Sequence, residues 1–416
     1  MISPITIGLV AIGFAVVGWQ WPRLAVAAVV IGSPAYLLRS SVAGVPTTVL
    51  EAAVVGAAAG WLVGLATRRS LGRVVDTLRQ AVGRPLLIPI GLIAAGWILA
   101  TVVSIDLRAS LGALKAWLLE PVLVGLMAMH EFRNERSIPT LRRALLAALL
   151  LVSAAGLVQL AFFRQSIEGG RVSSVFAPVA NYLAMFTVPL LILAIGWWWQ
   201  RLERQLSGFA TAVGLVVLLL SFSFGGYLSL AAGLSALAVV ALGRTNRRRA
   251  LIGLVLAGAV LLLALLPTRY VQEKLNFVTR SSSLVRTQIW RTALAIGQER
   301  PLLGIGPNAF EPAYRRTVPR FYFPPLEWLV AKPHNLYLNL WLETGLLGLI
   351  GTVWLLVHFV RRTLQAGSTA VPYGAAAVGI MTHGLLDTPL FKNDLAVIAA
   401  VIVALGLLSS LPAKQN

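Results

Sequence analysis

Two side chains in the C-terminal third of the chain have the chemistry of a group-transfer site. Arg286 carries a guanidinium, which binds phosphate oxygens in a two-pronged geometry, and His334 carries an imidazole, which exchanges a proton near neutral pH. His334 stands between an arginine-rich segment and a long apolar one, so we expect it at the N-terminal end of a membrane helix. The helix dipole disfavours a charged imidazole there. The sequence therefore predicts a neutral His334 that acts as a general base.

The residues around Arg286 predict a helix. Three serines at 281–283 suit an N-cap, apolar side chains recur at helical spacing as far as Ile296, and Pro301 ends the segment. Arg286 and Trp290 are four residues apart and share one face. One interpretation is a helix in the membrane interface, with both side chains at headgroup level. The other is a helix that presents Arg286 to an anionic ligand.

Two glycine-containing segments follow. Residues 301–310 (Pro-Leu-Leu-Gly-Ile-Gly-Pro-Asn-Ala-Phe) predict a tight turn before a short helix, and the turn could offer backbone N–H groups to an anion. A helix beginning at Pro333 would place His334 and Gly345 on one face and Glu343 on the other. Glu343 is then a poor partner for the histidine. Gly345 and Gly348 would let another helix approach closely.

The composition is that of a membrane protein. Of the 416 residues, 58% are hydrophobic and only 12% are charged, whereas soluble domains average about 25% charged residues. The mean hydropathy is +0.81. Cysteine is absent, so disulfides, thiol chemistry and cysteine-based metal sites are excluded. The four histidines lack zinc-site spacing, so we do not expect a dedicated zinc site.

Long apolar runs predict an all-α polytopic protein, with residues 1–416 forming a single membrane domain. The predicted spans are 2–19, 24–38, 46–66, 86–103, 116–129, 144–163, 179–199, 208–224, 226–243, 251–266, 335–360, 370–387 and 395–411. Three of them are short, so the prediction is twelve or thirteen spans. The N-terminal residues lack the pattern of a cleaved signal, and we expect the first span to be retained.

Positive residues predict the orientation. Nineteen Lys and Arg residues fall in loops on one side and six in short loops on the other. The first side, with the C-terminus, is therefore predicted to be cytoplasmic. Anionic lipid beside these loops explains the net charge of +20 better than nucleic acid does. The remaining ten cations lie in residues 267–332, the one long loop, which is predicted to be extracytoplasmic. Their concentration there suggests an anionic ligand.

Several motifs in one order resemble the O-antigen ligase and Wzy-type polymerase superfamily (the Wzy_C domain). They are Arg286-Thr-Gln-Ile-Trp290, the 301–310 segment, His334-Asn-Leu-Tyr337 and Glu343-Thr-Gly-Leu-Leu-Gly348. Weaker matches are Arg171-Val-Ser-Ser-Val-Phe-Ala-Pro and His383-Gly-Leu-Leu-Asp387. The similar region covers residues 171–360.

The resemblance implies a GT-C-like glycosyltransferase of the bacterial plasma membrane. Such enzymes take a glycan from undecaprenyl diphosphate and join it to a hydroxyl of a glycan or lipid acceptor on the periplasmic face. They need no metal or other cofactor, and arginines neutralise the leaving diphosphate. Ligase and polymerase activities both stay open.

The resemblance also implies site residues. Arg286 and His334 match the loop arginine and the base. Further candidates for substrate binding are Arg171, Arg291, Arg315, Lys332, Asn335, Tyr337, His383 and Asp387. Residues 221–227 depart from the family pattern, because Phe224 stands where family members commonly have an arginine. Arg171, Arg164 or Arg39 would then have to replace that charge.

Two other functions remain open from the residues alone. Glu51, Glu120, Glu343, His383 and Asp387 could line an ion path, with His383 paired to Asp387, as in a transporter or channel. No inverted repeat supports this. Phe224 would also suit a catalytically silent scaffold of a polysaccharide-assembly complex.

Overall fold

The computed structural model describes residues 2–42, 44–167, 170–241 and 281–411. Within these ranges the chain is a bundle of helices with one two-stranded antiparallel hairpin, β1 (Arg39–Val42) and β2 (Val45–Thr48). The hairpin was not predicted, because its eight residues form no long apolar run. The predicted span 251–266 lies outside the described residues.

The helices of the N-terminal half follow the predicted spans. They are α1 (Pro4–Gln20), α2 (Pro22–Ile31), α3 (Val49–Thr67), α4 (Leu71–Val102), α5 (Leu107–Leu114), α6 (Glu120–Glu131) and α7 (Ile138–Phe162). A π-turn joins α5 to α6, so the segment predicted as 116–129 is one apolar helix over 107–131. At 25 residues this helix is long enough to cross a membrane, although the predicted segment was short.

The helices of the C-terminal half include two that lie outside the predicted spans. The full set is α8 (Ala180–Trp199), α9 (Arg204–Leu220), α10 (Phe224–Ala241), α11 (Ser281–Glu299), α12 (Phe310–Thr317), α13 (Leu336–Gln365), α14 (Val371–His383) and α15 (Asn393–Ser409). In the described ranges, six helices are long and apolar enough to cross a membrane, and five shorter ones are also apolar. The chain is therefore an all-α polytopic membrane protein.

Two helices are interrupted at glycines. In α4 the interruption is at Gly83 (φ 66°), just before Pro85, so residues 71–82 form a separate segment ahead of the predicted span 86–103. In α13 it is at Gly345 (φ 67°). A left-handed φ suits glycine, and both interruptions change the direction of the chain.

Close helix contacts depend on small residues. A Cβ at Gly56 would lie 2.2 Å from the carbonyl oxygen of Ala11, and one at Gly96 would lie 2.4 Å from the nitrogen of Gly348. Backbones that approach this closely bring α1 against α3 and α4 against α13, as expected for membrane helices. The second contact confirms the predicted use of Gly348.

The loops gather at two opposite ends of α3. At its C-terminal end, Arg23 donates to the carbonyl oxygen of Glu131 and Arg68 donates to that of Trp19, both at 3.0 Å. At its N-terminal end, Glu51 pairs with Lys115. The sequence predicted the loops with Arg23 and Arg68 on one side of the membrane and the loop with Lys115 on the other, and the structure places them at opposite ends in the same way. That the first side is cytoplasmic stays a prediction.

Candidate functional site

His334 lies just outside the helix that was predicted to contain it. Helix α13 begins at Leu336, and Asn335 caps it by accepting hydrogen bonds from the backbone nitrogens of Tyr337 and Leu338, both at 3.0 Å. His334 has φ 49°. The prediction of one helical face shared by His334 and Gly345 is therefore wrong, because the cap and the interruption at Gly345 break the regular helical repeat.

A turn after α14 supplies the partner of His334. The nitrogen of Leu336 donates to the carbonyl oxygen of Gly384 at 2.7 Å, and Asn335 Nδ2 donates to that of Leu385 at 3.0 Å. These bonds hold the histidine beside Asp387. His334 Nδ1 lies 3.4 Å from Asp387 Oδ1, with the histidine side chain 43% exposed and the aspartate 10% exposed. Nδ1 donating to the carboxylate would leave Nε2 free to accept a proton.

Asp387 is an ionised carboxylate in a buried turn. Burial raises its pKa, but the hydrogen bond and charge of His334, the charge of His383 and the backbone N–H of Thr388 outweigh burial and leave the pKa below its ordinary value. The sequence interpretation rejected Glu343 as the partner of His334, and it assigned Asp387 to substrate binding or to a pair with His383. The separation of 53 positions between His334 and Asp387 hid their contact.

Arg286, on α11, lies near enough to Asp387 for their charges to interact, but the two side chains form no ion pair. Its side chain is partly buried, and burial lowers its pKa while the charge of Asp387 raises it. The guanidinium makes no hydrogen bond to any other residue of the described ranges. Trp290, one turn further on, donates from Nε1 to the carbonyl oxygen of Pro333 at 2.9 Å. That bond ties the Arg286 helix directly to the segment carrying His334.

The apolar stripe of α11 packs inside the protein. Ile289, Ala293 and Ile296 form a buried cluster with residues of α12 and with Leu342. This arrangement favours the ligand-presenting interpretation of the Arg286 helix over an interfacial one, although Leu294 remains exposed.

Gln288 fixes the loop that crosses α11. It is fully buried, its Nε2 donates to Tyr314 Oη at 2.6 Å, and its Oε1 accepts from the nitrogen of Leu326 at 2.8 Å. Tyr314 in turn donates to the carbonyl oxygen of Glu327. The sequence reasoning missed Gln288, although its place between Arg286 and Trp290 in one motif was a signal.

The 301–310 turn fills the interruption in α13. The nitrogen of Ile305 donates to the carbonyl oxygen of Leu342 at 2.7 Å, and the nitrogen of Leu346 donates to that of Leu302 at 3.0 Å. A Cβ at Gly345 would lie 2.1 Å from the oxygen of Leu302. The predicted anion-binding role of this turn is wrong for Ile305, because its N–H group is already bonded within the protein.

Lys332 is committed to a buried ion pair. Its Nζ lies 2.6 Å from Oε1 of the fully buried Glu343 and 4.3 Å from the ring centroid of Trp117. Burial lowers the pKa of Lys332, and Glu343 opposes that shift. The positive charge of Lys332 is therefore compensated by Glu343 inside the protein rather than left for a phosphate.

Arg171 lies at the turn that contains the departure from the family pattern. Its Nε donates to the carbonyl oxygen of Ser221 at 3.0 Å, and its NH2 group donates to Asn181 Oδ1 at 2.6 Å. Ser223 donates to the same Asn181 oxygen at 3.1 Å. A guanidinium from another loop therefore stands beside the turn in which Phe224 replaces the expected arginine.

The other predicted residues have separate places. Arg291 stacks on Phe321, 5.4 Å from the ring centroid, and Arg315 is exposed on α12. Tyr337 donates from its hydroxyl to the carbonyl oxygen of Met381 at 2.8 Å. Asn335 caps α13. Of the predicted residues, His334 and Asp387 are in contact, and Arg286 is the cation whose charge acts on that pair.

His383 lies behind this point. It is buried, and its Nε2 is 3.1 Å from where a Cβ at Gly225 would be. The nitrogen of Asp387 donates to the backbone oxygen of His383 at 3.0 Å, whereas the carboxylate faces His334. The predicted side-chain pair of His383 and Asp387 is therefore not formed: the Asp387 carboxylate pairs with His334, and His383 contacts Asp387 through the backbone.

Most acidic residues proposed for an ion path have partners. Glu51 pairs with Lys115 at 2.8 Å and accepts from Asn393 Nδ2 at 2.9 Å. Glu343 pairs with Lys332, and Asp387 faces His334. In each of these contacts the carboxylate has a polar partner within the described ranges.

Comparison with known proteins identifies one family. Residues 209–353 match the Wzy_C family model, which is described as O-antigen ligase. The matched range runs from α9 into α13 and contains Arg286 and His334, whereas Arg171 and Asp387 lie outside it. The resemblance inferred from the motifs is confirmed. No curated protein matches the chain.

Proposed function

Starting from this match, we propose that the protein transfers a glycan from undecaprenyl diphosphate to an acceptor hydroxyl on the outer face of the bacterial plasma membrane. The observation that carries the proposal is the bond from Trp290, one turn after Arg286, to Pro333, the residue before His334. It brings the helix that carries a cation for the leaving group close to a base for the acceptor, and that base faces Asp387 at 3.4 Å.

The reaction is a substitution at the anomeric carbon. The bond from that carbon to the diphosphate oxygen breaks, and a bond to the acceptor oxygen forms. Nε2 of His334 takes the proton of the acceptor hydroxyl, while Nδ1 donates to Asp387, which stabilises the imidazolium that results. The leaving undecaprenyl diphosphate carries away the bonding electron pair.

Arg286 stabilises the charge that develops on the diphosphate. Its guanidinium is partly buried and has no hydrogen-bond partner among the described residues, so its donors are available to phosphate oxygens. Partial burial strengthens that attraction, because the surroundings are less polarisable than water. The reaction needs no metal in this scheme, since the guanidinium supplies the counter-charge.

Arg171 supplies the second cation. It lies beside the turn that precedes Phe224, the residue that stands in place of the family arginine. One of its donors bonds Ser221 of that turn and another bonds Asn181 of α8, and the remaining N–H groups can bind the distal phosphate.

A ligase and a polymerase differ in the acceptor that they use. A ligase joins the glycan to a lipid A–core hydroxyl, and a polymerase joins it to a second lipid-linked unit. The match supports membrane glycan handling of either type.

The test is glycan transfer in membranes of the source bacterium that carry single variants. Arg286→Ala and His334→Ala should each abolish transfer at unchanged protein level. Matched controls are His358→Ala and Arg361→Ala, which remove the same side chains at the other end of α13. Full transfer by both site variants would contradict the proposal.

A further inference from the structure

The end of the bundle opposite His334 contains a polar cavity of about 260 Å³. It forms where the α1–α2 turn, the α3–α4 turn and the end of α6 meet. The side chains that matter are Arg23, Arg68, Arg73, Arg133, His130 and Glu131. The volume is just below the roughly 300–1,000 Å³ of ordinary small-molecule sites, which suits a headgroup-sized ligand.

Two of the arginines are held in place by backbone oxygens. Arg23 Nε donates to the carbonyl of Glu131, and Arg68 donates to that of Trp19, both at 3.0 Å. Each guanidinium has five N–H donors, so most remain for a ligand. The Glu131 carboxylate accepts from Trp61 Nε1 at 3.0 Å. The same carboxylate lies 4.0 Å from His130 Nε2, and it is the one acidic group in a lining that includes four arginines.

The other two arginines leave positive charge uncompensated. Arg73 and Arg133 both lie near enough to His130 for their charges to act on it. Neither guanidinium makes a hydrogen bond within the part of the chain that the structure describes. His130 Nδ1 is buried and likewise has no hydrogen-bond partner there. A cavity with this lining is complementary to an anion.

Backbone contacts fix the shape of the cavity. A Cβ at Gly18 would lie 2.3 Å from the carbonyl oxygen of Ala57, and one at Gly64 would lie 3.3 Å from that of Trp19. Helices α1 and α3 therefore meet without intervening side chains at the cavity floor.

Exposed apolar side chains surround the cavity. Trp19, Trp21, Leu24 and Leu71 are 44%, 57%, 56% and 53% exposed. Tryptophan is enriched at the level of lipid headgroups, and basic pockets between membrane helices bind anionic headgroups. We propose that this cavity binds a phosphate group, carried either by an anionic membrane lipid or by a soluble phosphate compound.

The experiment measures phosphatidylglycerol binding to the purified full-length protein by native mass spectrometry. Phosphatidylcholine with the same acyl chains and inorganic phosphate serve as competitors. Arg73→Gln with Arg133→Gln should weaken phosphatidylglycerol binding about 30-fold, since each arginine near a phosphate surface contributes roughly a factor of five. Neither guanidinium bonds to a described residue, so the fold should be retained.

The matched control is Arg79→Gln with Arg84→Gln, which removes two exposed charges from α4 outside the cavity. Its affinity should stay within about threefold of the unaltered protein by the same reasoning. Competition by inorganic phosphate alone would support a soluble ligand, and competition by neither compound would support the lipid. Equal weakening in both double variants, or in neither, would overturn the proposal.

Discussion

At the scale of residues, the site rests on one carboxylate. Asp387 faces His334 at 3.4 Å, and its charge acts on Arg286 without an ion pair between them. It lies after α14, outside the residues matched by the family model, yet it contacts His334, which lies within them. An imidazole oriented in this way has one nitrogen occupied and one free, which is the arrangement a general base requires.

Asp387→Asn tests this orientation. The amide keeps the shape but not the charge, so the imidazolium formed during transfer loses its stabilisation. The rate of transfer should fall on the order of 10²–10⁴-fold, measured as initial rates at equal protein level. A rate within threefold of the unaltered protein would show that His334 does not depend on Asp387.

The pH dependence follows from the same carboxylate. The pKa of Asp387 lies below its ordinary value of 3.8, so the stabilisation from its pairing is present above that pH. It is lost as the pH falls through the lower pKa of the folded protein. Between pH 5 and pH 9 Asp387 stays ionised, and we expect no change in transfer rate from its titration there.

At the scale of elements, two contacts set the position of the site. The Trp290–Pro333 bond joins α11 to the segment before α13. The 301–310 turn bonds to the interrupted backbone at Gly345. Both contacts hold residues distant in sequence, and both involve motifs that carried the family resemblance.

Trp290→Phe tests whether the Trp290–Pro333 hydrogen bond positions the catalytic groups, apart from the packing of the aromatic ring. Phenylalanine keeps an aromatic ring but cannot donate to Pro333, so the free energy of unfolding should fall by about 1 kcal/mol. The transfer rate should fall by about tenfold or more, because displacement of a catalytic group costs rate steeply. Thermal unfolding in detergent and initial rates give the two quantities. Loss of stability with an unchanged rate would contradict a positioning role.

Gly345→Ala tests the interruption of α13. The new methyl group would clash with the carbonyl oxygen of Leu302, and the alanine backbone would have to keep φ 67°. We therefore expect the free energy of unfolding to fall by at least about 2 kcal/mol. The control is Gly367→Ala, which has φ 57° and open space around it. This control variant has the strained left-handed backbone but no steric clash of the new methyl group. Equal losses would show that the turn does not fill the interruption tightly.

At the scale of the whole molecule, the described loops fall into two groups at opposite ends of the helices. One holds the arginine-lined cavity, and the other holds His334, Asp387 and Arg286. Positive residues predict that the cavity end is cytoplasmic. The proposed reaction then takes place on the outer face, where lipid-linked glycans meet their acceptors.

The absence of cysteine makes this sidedness measurable. Arg316→Cys and Arg79→Cys each introduce a single exposed thiol at opposite ends of the bundle. With a membrane-impermeant maleimide, Cys at 316 should react in intact spheroplasts and Cys at 79 only after permeabilisation. The reverse pattern would invert the orientation and place the site in the cytoplasm.

Much of the bundle could be predicted from the sequence, because long apolar runs must become helices in lipid. All the predicted spans within the described ranges correspond to helices. The hairpin, the interruptions at Gly83 and Gly345 and the extent of α5–α6 were not predicted, since each depends on contacts rather than on local hydrophobicity.

The site was predictable only in part. Arg286 and His334 stand in recognisable motifs, but their common partner Asp387 depends on how α14 lies beside α13. Lys332 and Asn335 stand in the same motifs and have structural partners instead, Glu343 and the end of α13. Residue type and spacing cannot tell a buried ion pair from a ligand-binding cation, because both use the same charge.

The most direct test is binding of undecaprenyl diphosphate, the leaving group of the proposed reaction. Its dissociation constant for the detergent-purified protein should be far lower than that of undecaprenol, which lacks phosphate. Arg286→Ala should weaken binding of the diphosphate by roughly 10–100-fold, the loss expected for charge-assisted hydrogen bonds. His334→Ala should bind it within about threefold of the unaltered protein, because its role is toward the acceptor. Unchanged binding by Arg286→Ala would contradict the account.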